Sequence, residues 1–148
     1  MKKKLFALVV TLLSVNLFAC DDGERDVVEF SLLPQEAQTF VNTHFSDKQV
    51  SLVFHDKEVG DHDYEVIFTD SASIDFDKKG RWTEVEDRDV DGVPVAIYPA
   101  SIVAYLNAHH AGARVVKVNK DKRDYEVEMS NDIDLVFDLD GKFLRYDD

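Results

Sequence analysis

The chain has one cysteine, three prolines and six glycines among its 148 residues. The single cysteine, Cys20, excludes an intramolecular disulfide framework, because such a framework needs an even number of cysteines. The six glycines form neither a G-x-S-x-G nucleophile motif nor a glycine-rich phosphate loop. No Ser, Cys or Thr stands in a pattern that would supply it with a base, so we expect the protein not to be an enzyme.

Basic residues are also scarce, because 17 lysines and arginines stand against 30 aspartates and glutamates. The first 19 residues hold three of the lysines, so the rest of the chain has 14 basic and 30 acidic residues, a net charge of −16. Nucleic acid is excluded as a partner, because phosphate binding needs a basic footprint. Basic proteins and divalent cations are favourable partners; the other interpretation is that the charge serves solubility alone.

Long apolar runs are absent except near the start of the chain. Residues 1–4 are basic, and residues 5–18 form an apolar stretch of fourteen residues. A membrane span needs about 20 residues, so residues 1–19 are predicted to be a signal peptide. The segment ends in LFAC, which resembles the lipobox of bacterial lipoproteins, although its Phe18 is bulkier than usual. That resemblance implies lipid attachment at Cys20; the alternative is an ordinary signal peptide beside a chance cysteine.

Residues 21–26 are polar and lack an apolar period, which predicts a flexible acidic tether over residues 20–29. Together with the lipobox, the tether predicts an exported protein that is lipid-anchored in the bacterial cell envelope. The periplasmic face and the cell surface both stay open as its location.

The tetrapeptide DYEV occurs twice, at residues 63–66 and 124–127. Residues 33–57 match residues 98–122 at an offset of 65, with pairs such as Asn42 and Asn107. From DYEV onward the offset is 61, because the second copy lacks the counterpart of residues 58–61. Matches that keep their order over such a length indicate a tandem duplication. We therefore predict one domain over 30–148, made of repeat 1 (30–87), a linker (88–93) and repeat 2 (94–148).

Each repeat has the same pattern of predicted elements. A proline opens an apolar stripe of helical period, as in PQEAQTFVNTHF. Strands of period two follow, and a hairpin closes on Gly80 or Gly141. The prediction is an α+β fold with two α-β-β-β-β units, an antiparallel sheet of about eight strands, and both helices on one face. Neither unit of about 55 residues would be stable alone.

The repeated units, the proline-opened helices, the DYEV strands, the D-x-x-G hairpins and the lipobox together resemble the PepSY-like envelope lipoproteins. This resemblance covers about residues 30–148. It implies a fold similar to the β-lactamase inhibitor protein, whose sheet grips an enzyme. It implies no particular activity, because fold does not determine function.

The linker region contains D-R-D-V-D-G, which matches the opening of a calcium-binding loop through Asp87, Asp89 and Asp91. The match then fails, because Tyr98 occupies the twelfth position, where a bidentate Glu is needed. The two open interpretations are a calcium site and a solvated acidic linker. No other cofactor is expected, and the five histidines do not have the spacing of metal ligands.

A sheet with helices on one side leaves its other face open. Alternation places six side chains there, namely Glu65, Ile67, Asp75, Glu126, Glu128 and Asp134. The functional hypothesis is a protein that binds or inhibits an unidentified partner protein, in the periplasm or outside the cell, through this surface. The alternatives are a cation-binding module and a structural envelope component.

Overall fold

The computed structural model describes residues 25–57 and 63–147. Its helices are α1 (Gln35–His44) and α2 (Ala100–His109), and single 3-10 turns stand at Phe30–Leu32 and Val95–Ile97. The strands are β1 (Arg25–Val27), β2 (Val50–Asp56), β3 (Tyr64–Phe68), β4 (Ser73–Phe76), β5 (Trp82–Glu86), β6 (Val115–Lys120), β7 (Asp124–Met129), β8 (Asp134–Asp138) and β9 (Phe143–Asp147). No helix in these two stretches is long and apolar enough to cross a bilayer.

The strands form one open sheet in the order β1 to β9, and every neighbouring pair is antiparallel. The α+β class is therefore confirmed, and the sheet has nine strands where about eight were predicted. The strand that was not predicted is β1. It lies within residues 20–29, so the prediction of a flexible tether is wrong for residues 25–27. Side-chain period could not reveal it, because its pairing with β2 runs through main-chain atoms and needs only three residues.

A single row of aliphatic side chains crosses seven strands and forms the base of the core. Direct cross-strand pairing links Val53, Val66, Ile74, Val85, Val118, Val127 and Leu135. All seven are almost completely buried, in one cluster with Val41 of α1 and Leu106 of α2. Both helices therefore lie on one face of the sheet, as predicted, and no described element covers the opposite face.

The two halves of the sheet share their irregularities as well as their order of elements. The register shifts in β2 after Val50 and in β6 after Val115. The turns between β3 and β4 and between β7 and β8 each hold a residue of positive φ, Ser71 and Asp132. These pairs follow the sequence offsets of 65 and 61. Their origin by duplication stays a prediction, whereas the likeness of the two halves is structural.

Each helix begins against the hairpin of its own half. Gly80 and Gly141 have φ values of 84° and 80°, a region that side chains disfavour. Each donates its N–H to the main-chain oxygen of an aspartate, Asp77 at 2.8 Å and Asp138 at 2.9 Å. A Cβ at Gly80 would lie 2.8 Å from the main-chain nitrogen of Ala37, inside the first turn of α1. The hairpin glycines thus let the helices approach the end of the sheet.

An aromatic side chain from each helix fills the space above its hairpin. Phe40 of α1 meets Phe76 edge-on at 5.8 Å and stacks near Trp82 at 6.1 Å. The second half repeats the arrangement, with Tyr105 of α2 edge-on to Phe137 at 5.4 Å and stacked on Phe143 at 4.7 Å. Offset and edge-on pairs of this kind stabilise by about 1 kcal/mol beyond area burial.

Candidate interaction surface

The open face consists of the side chains that alternate with the core row. Register fixes its membership, because residues paired across strands point to the same side. The six predicted residues all lie on it: Glu65 is opposite Asp75, Glu128 is opposite Asp134, Ile67 is opposite Leu52, and Glu126 is opposite Asn119. They do not form one cluster, because Glu65, Ile67 and Asp75 lie on β3 and β4 whereas the others lie on β7 and β8.

The part of this face on β1 to β3, which we call the apolar end, consists of Val27, Leu52, Phe54 and Ile67. Val27 pairs with Phe54, and Leu52 pairs with Ile67. Val27 is 64% exposed and Leu52 is 42% exposed. The guanidinium of Arg25 lies 5.9 Å above the Phe54 ring and forms an ion pair with Glu65 at 3.0 Å. Charge at this end is therefore largely balanced, and its distinguishing chemistry is apolar.

The middle of the face carries ion pairs that join the two halves. Lys117 of β6 binds Glu84 of β5 at 2.8 Å. Arg88, just after β5, binds Glu86 at 2.6 Å and Glu128 at 2.9 Å. These contacts raise the pKa of both cations. Hydrogen bonds to Glu128 and Glu86 raise the pKa of Arg88. Desolvation opposes the charge on Lys117, but the hydrogen bond to Glu84 together with attraction to Glu84, Glu86 and Glu128 outweighs it and raises the pKa. The cations of the middle are therefore already paired with carboxylates of the protein itself.

The part on β7 to β9, which we call the acidic end, consists of Glu126, Glu128, Asp134 and Asp147. Asp134 lies directly opposite both Glu128 and Asp147, and the four carboxylates, together with Lys117 and Asn119, border a depression of about 180 Å³. Desolvation, followed by repulsion from Glu128 and Asp147, raises the pKa of Asp134 above its ordinary value. Like charges directly opposite one another destabilise a sheet. The acidic end therefore has a favourable place for added positive charge.

The D-x-D-x-D-G segment does not hold its aspartates as a calcium loop would. Asp87 is 3% exposed, and its carboxylate binds Lys48 Nζ at 2.9 Å and accepts the N–H of Asp89 at 3.0 Å. Asp89 and Asp91 are exposed. Across residues 25–57 and 63–147, no three His, Cys, Asp or Glu side chains are grouped to hold a metal ion. The interpretation as a solvated linker is wrong for Asp87, because its carboxylate is buried and binds Lys48.

Lys48 connects Asp87 to a second carboxylate in a small ionic network. Its ammonium also binds Asp70, at the turn between β3 and β4. Desolvation opposes the charge on Lys48, but hydrogen bonds to Asp70 and Asp87 raise its pKa to about 12. The linker is held further by Arg114, which donates to the main-chain oxygens of Asp89 and Arg88 at 2.8 and 3.1 Å. Arg114, the residue just before β6, thereby joins the linker to the start of that strand.

Two of the five histidines stack on aromatic rings, and the other remaining sequence predictions concern residues outside the described ones. His109 stacks on Tyr105 at 4.2 Å, and His55 stacks on Tyr64 at 4.6 Å. Cys20, residues 1–19 and His62 lie outside the described residues. The lipid attachment at Cys20 stays a prediction.

Sequence reasoning missed the charged residues of the middle, Glu84, Glu86 and Lys117. The alternation in WTEVE was available, but the register shift between β4 and β5 places both Trp82 and Val85 on the helix side. It also missed Arg25 and Arg88, whose positions depend on main-chain pairing and on a turn. No local pattern indicates which distant carboxylate such an arginine will reach.

Comparisons with known proteins agree with this architecture. A sequence model of the beta-lactamase-inhibitor-like, PepSY-like family matches residues 62–145, from the start of β3 into β9. The chain belongs to the PepSY-like family. No match was found among curated proteins.

Solved structures of PepSY-like relatives extend the likeness over nearly their whole length. One from Bacteroides thetaiotaomicron, provisionally described as a calcium-regulated periplasmic protein, is 41% identical, with a TM-score of 0.78 over 84% of this chain and 97% of that one. A periplasmic DUF2874 protein from Bacteroides vulgatus is 38% identical, with a TM-score of 0.77 over 87% and 99%. A second B. vulgatus periplasmic protein, of unknown function, is 28% identical, with a TM-score of 0.76 over 84% and 99%.

Proposed function

We propose that the protein is an exported, lipid-anchored envelope protein without catalytic activity, which binds another protein through the open face of its sheet. The observation that carries the proposal is the contrast between the two faces. One is covered by α1 and α2, whereas the other presents the apolar and acidic ends without any described element over them. Its relatives, described as periplasmic, support export.

The partner test uses a photo-crosslinking amino acid in the native envelope. Asn119 is a suitable position, because it lies on the open face between Glu84 and Glu126. We expect saturable capture of a protein that excess purified domain competes away and that Glu126→Lys with Glu128→Lys abolishes. Ala104, exposed on α2, is the matched control position. Equal capture from position 104, or capture that does not saturate, contradicts the proposal.

The anchor is tested independently at Cys20. We expect the unchanged protein to partition with membranes and Cys20→Ser to appear in the soluble envelope fraction. Serine has no thiol to which a lipid can be attached, and stable anchoring needs multiple acyl chains. Fractionation followed by immunodetection measures this. Retention of Cys20→Ser in the membrane would remove the lipid from the proposal and leave the surface intact.

A second candidate function is regulation by calcium. One observation favours it, the description of the B. thetaiotaomicron relative as calcium-regulated, and the three aspartates at the junction of the halves are the segment to test. Calcium would have to compete with Lys48 for Asp87. We expect millimolar CaCl2, but not MgCl2, to raise the melting temperature, and Asp89→Ala to abolish the rise. An unchanged melting temperature for the unmutated protein eliminates this candidate.

A further inference from the structure

The open face differs between the halves in a directional way. Counterpart positions follow the offsets of 65 and 61. Leu52 corresponds to Lys117, Ile67 to Glu128, and Ser73 to Asp134, whereas Glu65 keeps its residue type as Glu126 and Asp75 corresponds to the buried Val136. The exposed apolar side chains Val27 and Leu52 therefore lie on one side of the face, and the exposed carboxylates Glu126 and Asp134 lie on the other. A protein whose open face served solubility alone would have no reason to separate the two chemistries.

The apolar end needs a partner that covers it. Val27 and Leu52 are adjacent across the sheet to half-buried Phe54 and Ile67, so the exposed groups form one patch. Contiguous apolar surface is unfavourable in water, and it marks contact sites on soluble proteins. Arg25 covers part of the Phe54 ring and leaves the exposed side chains uncovered.

The acidic end needs positive charge from outside. Within the described residues, Glu128 pairs with Arg88 at 2.9 Å and Asp147 pairs with Arg145 at 3.7 Å, whereas Glu126 and Asp134 form no ion pair. Both of these carboxylates are exposed. Lys117 also borders the depression but is paired with Glu84 at 2.8 Å, so a lysine or arginine placed over the depression would add a second cation beside four carboxylates.

We propose that the open face binds a segment of another protein that carries an apolar cluster and a separate basic cluster. This inference rests on the proposed function and adds the chemistry of the partner. Ile67 on β3 and Glu128 on β7 are four strand steps apart, roughly 19 Å at about 4.8 Å per step. A segment lying across the strands spans that distance with about six extended residues. The complementary clusters must therefore be separated rather than mixed.

Other occupants fit the same surface less well. Two copies of this chain packed face to face, with their sheets antiparallel, would place the acidic end of each over the apolar end of the other. A carboxylate buried against apolar side chains is strongly unfavourable. An anionic membrane surface would be repelled by the acidic end.

The test is a selection from a displayed library of random peptides of about sixteen residues. The bait is residues 21–148, which contain every element of the described fold. We expect enriched peptides to contain Leu, Val or Phe at one end and Lys or Arg at the other, about six residues apart. Both chain directions are acceptable, because the segment crosses the strands.

Variants at each end then assign the contacts of the enriched peptides. We expect Glu126→Lys with Glu128→Lys, and separately Leu52→Asp, each to weaken binding by at least about tenfold in calorimetry. Val27→Asp repeats the apolar test at a more exposed position, in case Leu52→Asp disturbs folding. The matched controls are Asp47→Lys with Asp140→Lys, and Leu139→Asp, all at exposed positions outside the open face. We expect the controls to change binding by less than about twofold.

The outcomes separate this inference from the proposed function. Peptides that bind the open face but carry only one cluster, or mixed clusters, overturn the inference and leave the binding surface in place. Peptides whose binding is unchanged by both sets of variants overturn both. A selection without enrichment over an empty support also contradicts the inference, because the surface would then lack the affinity that its two ends imply.

Discussion

The first half (30–87) and the second half (94–148) agree on the face that meets the helices and differ on the face that meets solvent. Toward the helices, Val66 corresponds to Val127 and Phe76 to Phe137, and each pair is buried. Toward solvent, Ile67 corresponds to Glu128. The core face is constrained by close packing, where volume changes are felt. The open face is less constrained in this way, so the proposed binding rests on the differences there.

The largest expected effect tests the likeness of the two cores. Phe76→Ala and Phe137→Ala should each lower the free energy of unfolding by about 4 kcal/mol, because both remove a fully buried ring that meets an aromatic side chain of the helix. Urea denaturation of the purified domain measures this. A difference above about 2 kcal/mol between the two variants would show that the halves are not equivalent. Phe→Leu at the same positions provides milder versions if either alanine variant fails to fold.

The next largest effect on stability concerns an ionic network that lies in the first half alone. Lys48→Met leaves Asp87 buried without its cation and should cost about 3 kcal/mol. The counterparts of Lys48 and Asp70 are Ala113 and Asn131, so the second half has no such network. Lys142→Met, at an exposed position, is the matched control and should cost less than about 0.5 kcal/mol.

The same network predicts a pH dependence that Lys48→Met should remove. The hydrogen bond from Lys48 lowers the pKa of Asp70, so its contribution is present above the ordinary value of 3.8 and is lost as pH falls through the lowered value. The pKa of Lys48 is raised from 10.5 to about 12, so its contribution is complete below 10.5 and is lost as pH rises through 12. Urea midpoints across pH measure the difference between the unmutated protein and the variant. A difference that stays constant at both extremes would exclude the network as its cause.

Sequence periodicity was sufficient for the parts of the fold that repeat locally. The alternation around Glu65 and Glu126 placed both on the open face, and the helical stripe placed Val41 in the core. Strand β1 was not predicted, because main-chain pairing needs no side-chain pattern. The Lys48–Asp87 contact escaped because it joins residues 39 positions apart, and nothing in the sequence selects Asp87 over 29 other acidic residues. The acidic end was predicted as individual residues, but its depression required the register.

The hairpin glycines test a finer difference between the halves. A Cβ at Gly80 would meet the main chain of α1, which cannot move without displacing the helix. A Cβ at Gly141 would overlap the Ser101 hydroxyl, a side chain that can rotate away. Both alanine variants adopt an unfavourable positive φ. We expect Gly80→Ala to cost about 3 kcal/mol and Gly141→Ala about 2 kcal/mol. Equal costs would show that strain at φ, and not the close approach of the helix, determines the effect.

The smallest effect lies on the open face and makes the second half resemble the first. Asp134→Ser installs the residue found at the counterpart, Ser73, and removes the repulsion from Glu128 and Asp147. We expect it to stabilise the domain by about 0.5 kcal/mol or less at pH 7, because the group is exposed. The pKa of Asp134 is raised in the folded state, so the unmutated protein regains this stability as pH falls through the raised value.

The gain from Asp134→Ser should therefore vanish below the ordinary carboxyl value of 3.8, where Asp134 is protonated in both the folded and the unfolded chain. Thermal denaturation at pH 7 and pH 3 measures both states, and Asp47→Ser, at an exposed position outside the sheet, is a charge-matched comparison. A stabilisation that persists at pH 3 would mean that serine improves the strand for reasons other than charge. A loss of stability at pH 7 would mean that the four carboxylates of the acidic end do not repel one another. The acidic end would then have no unmet need for a basic partner.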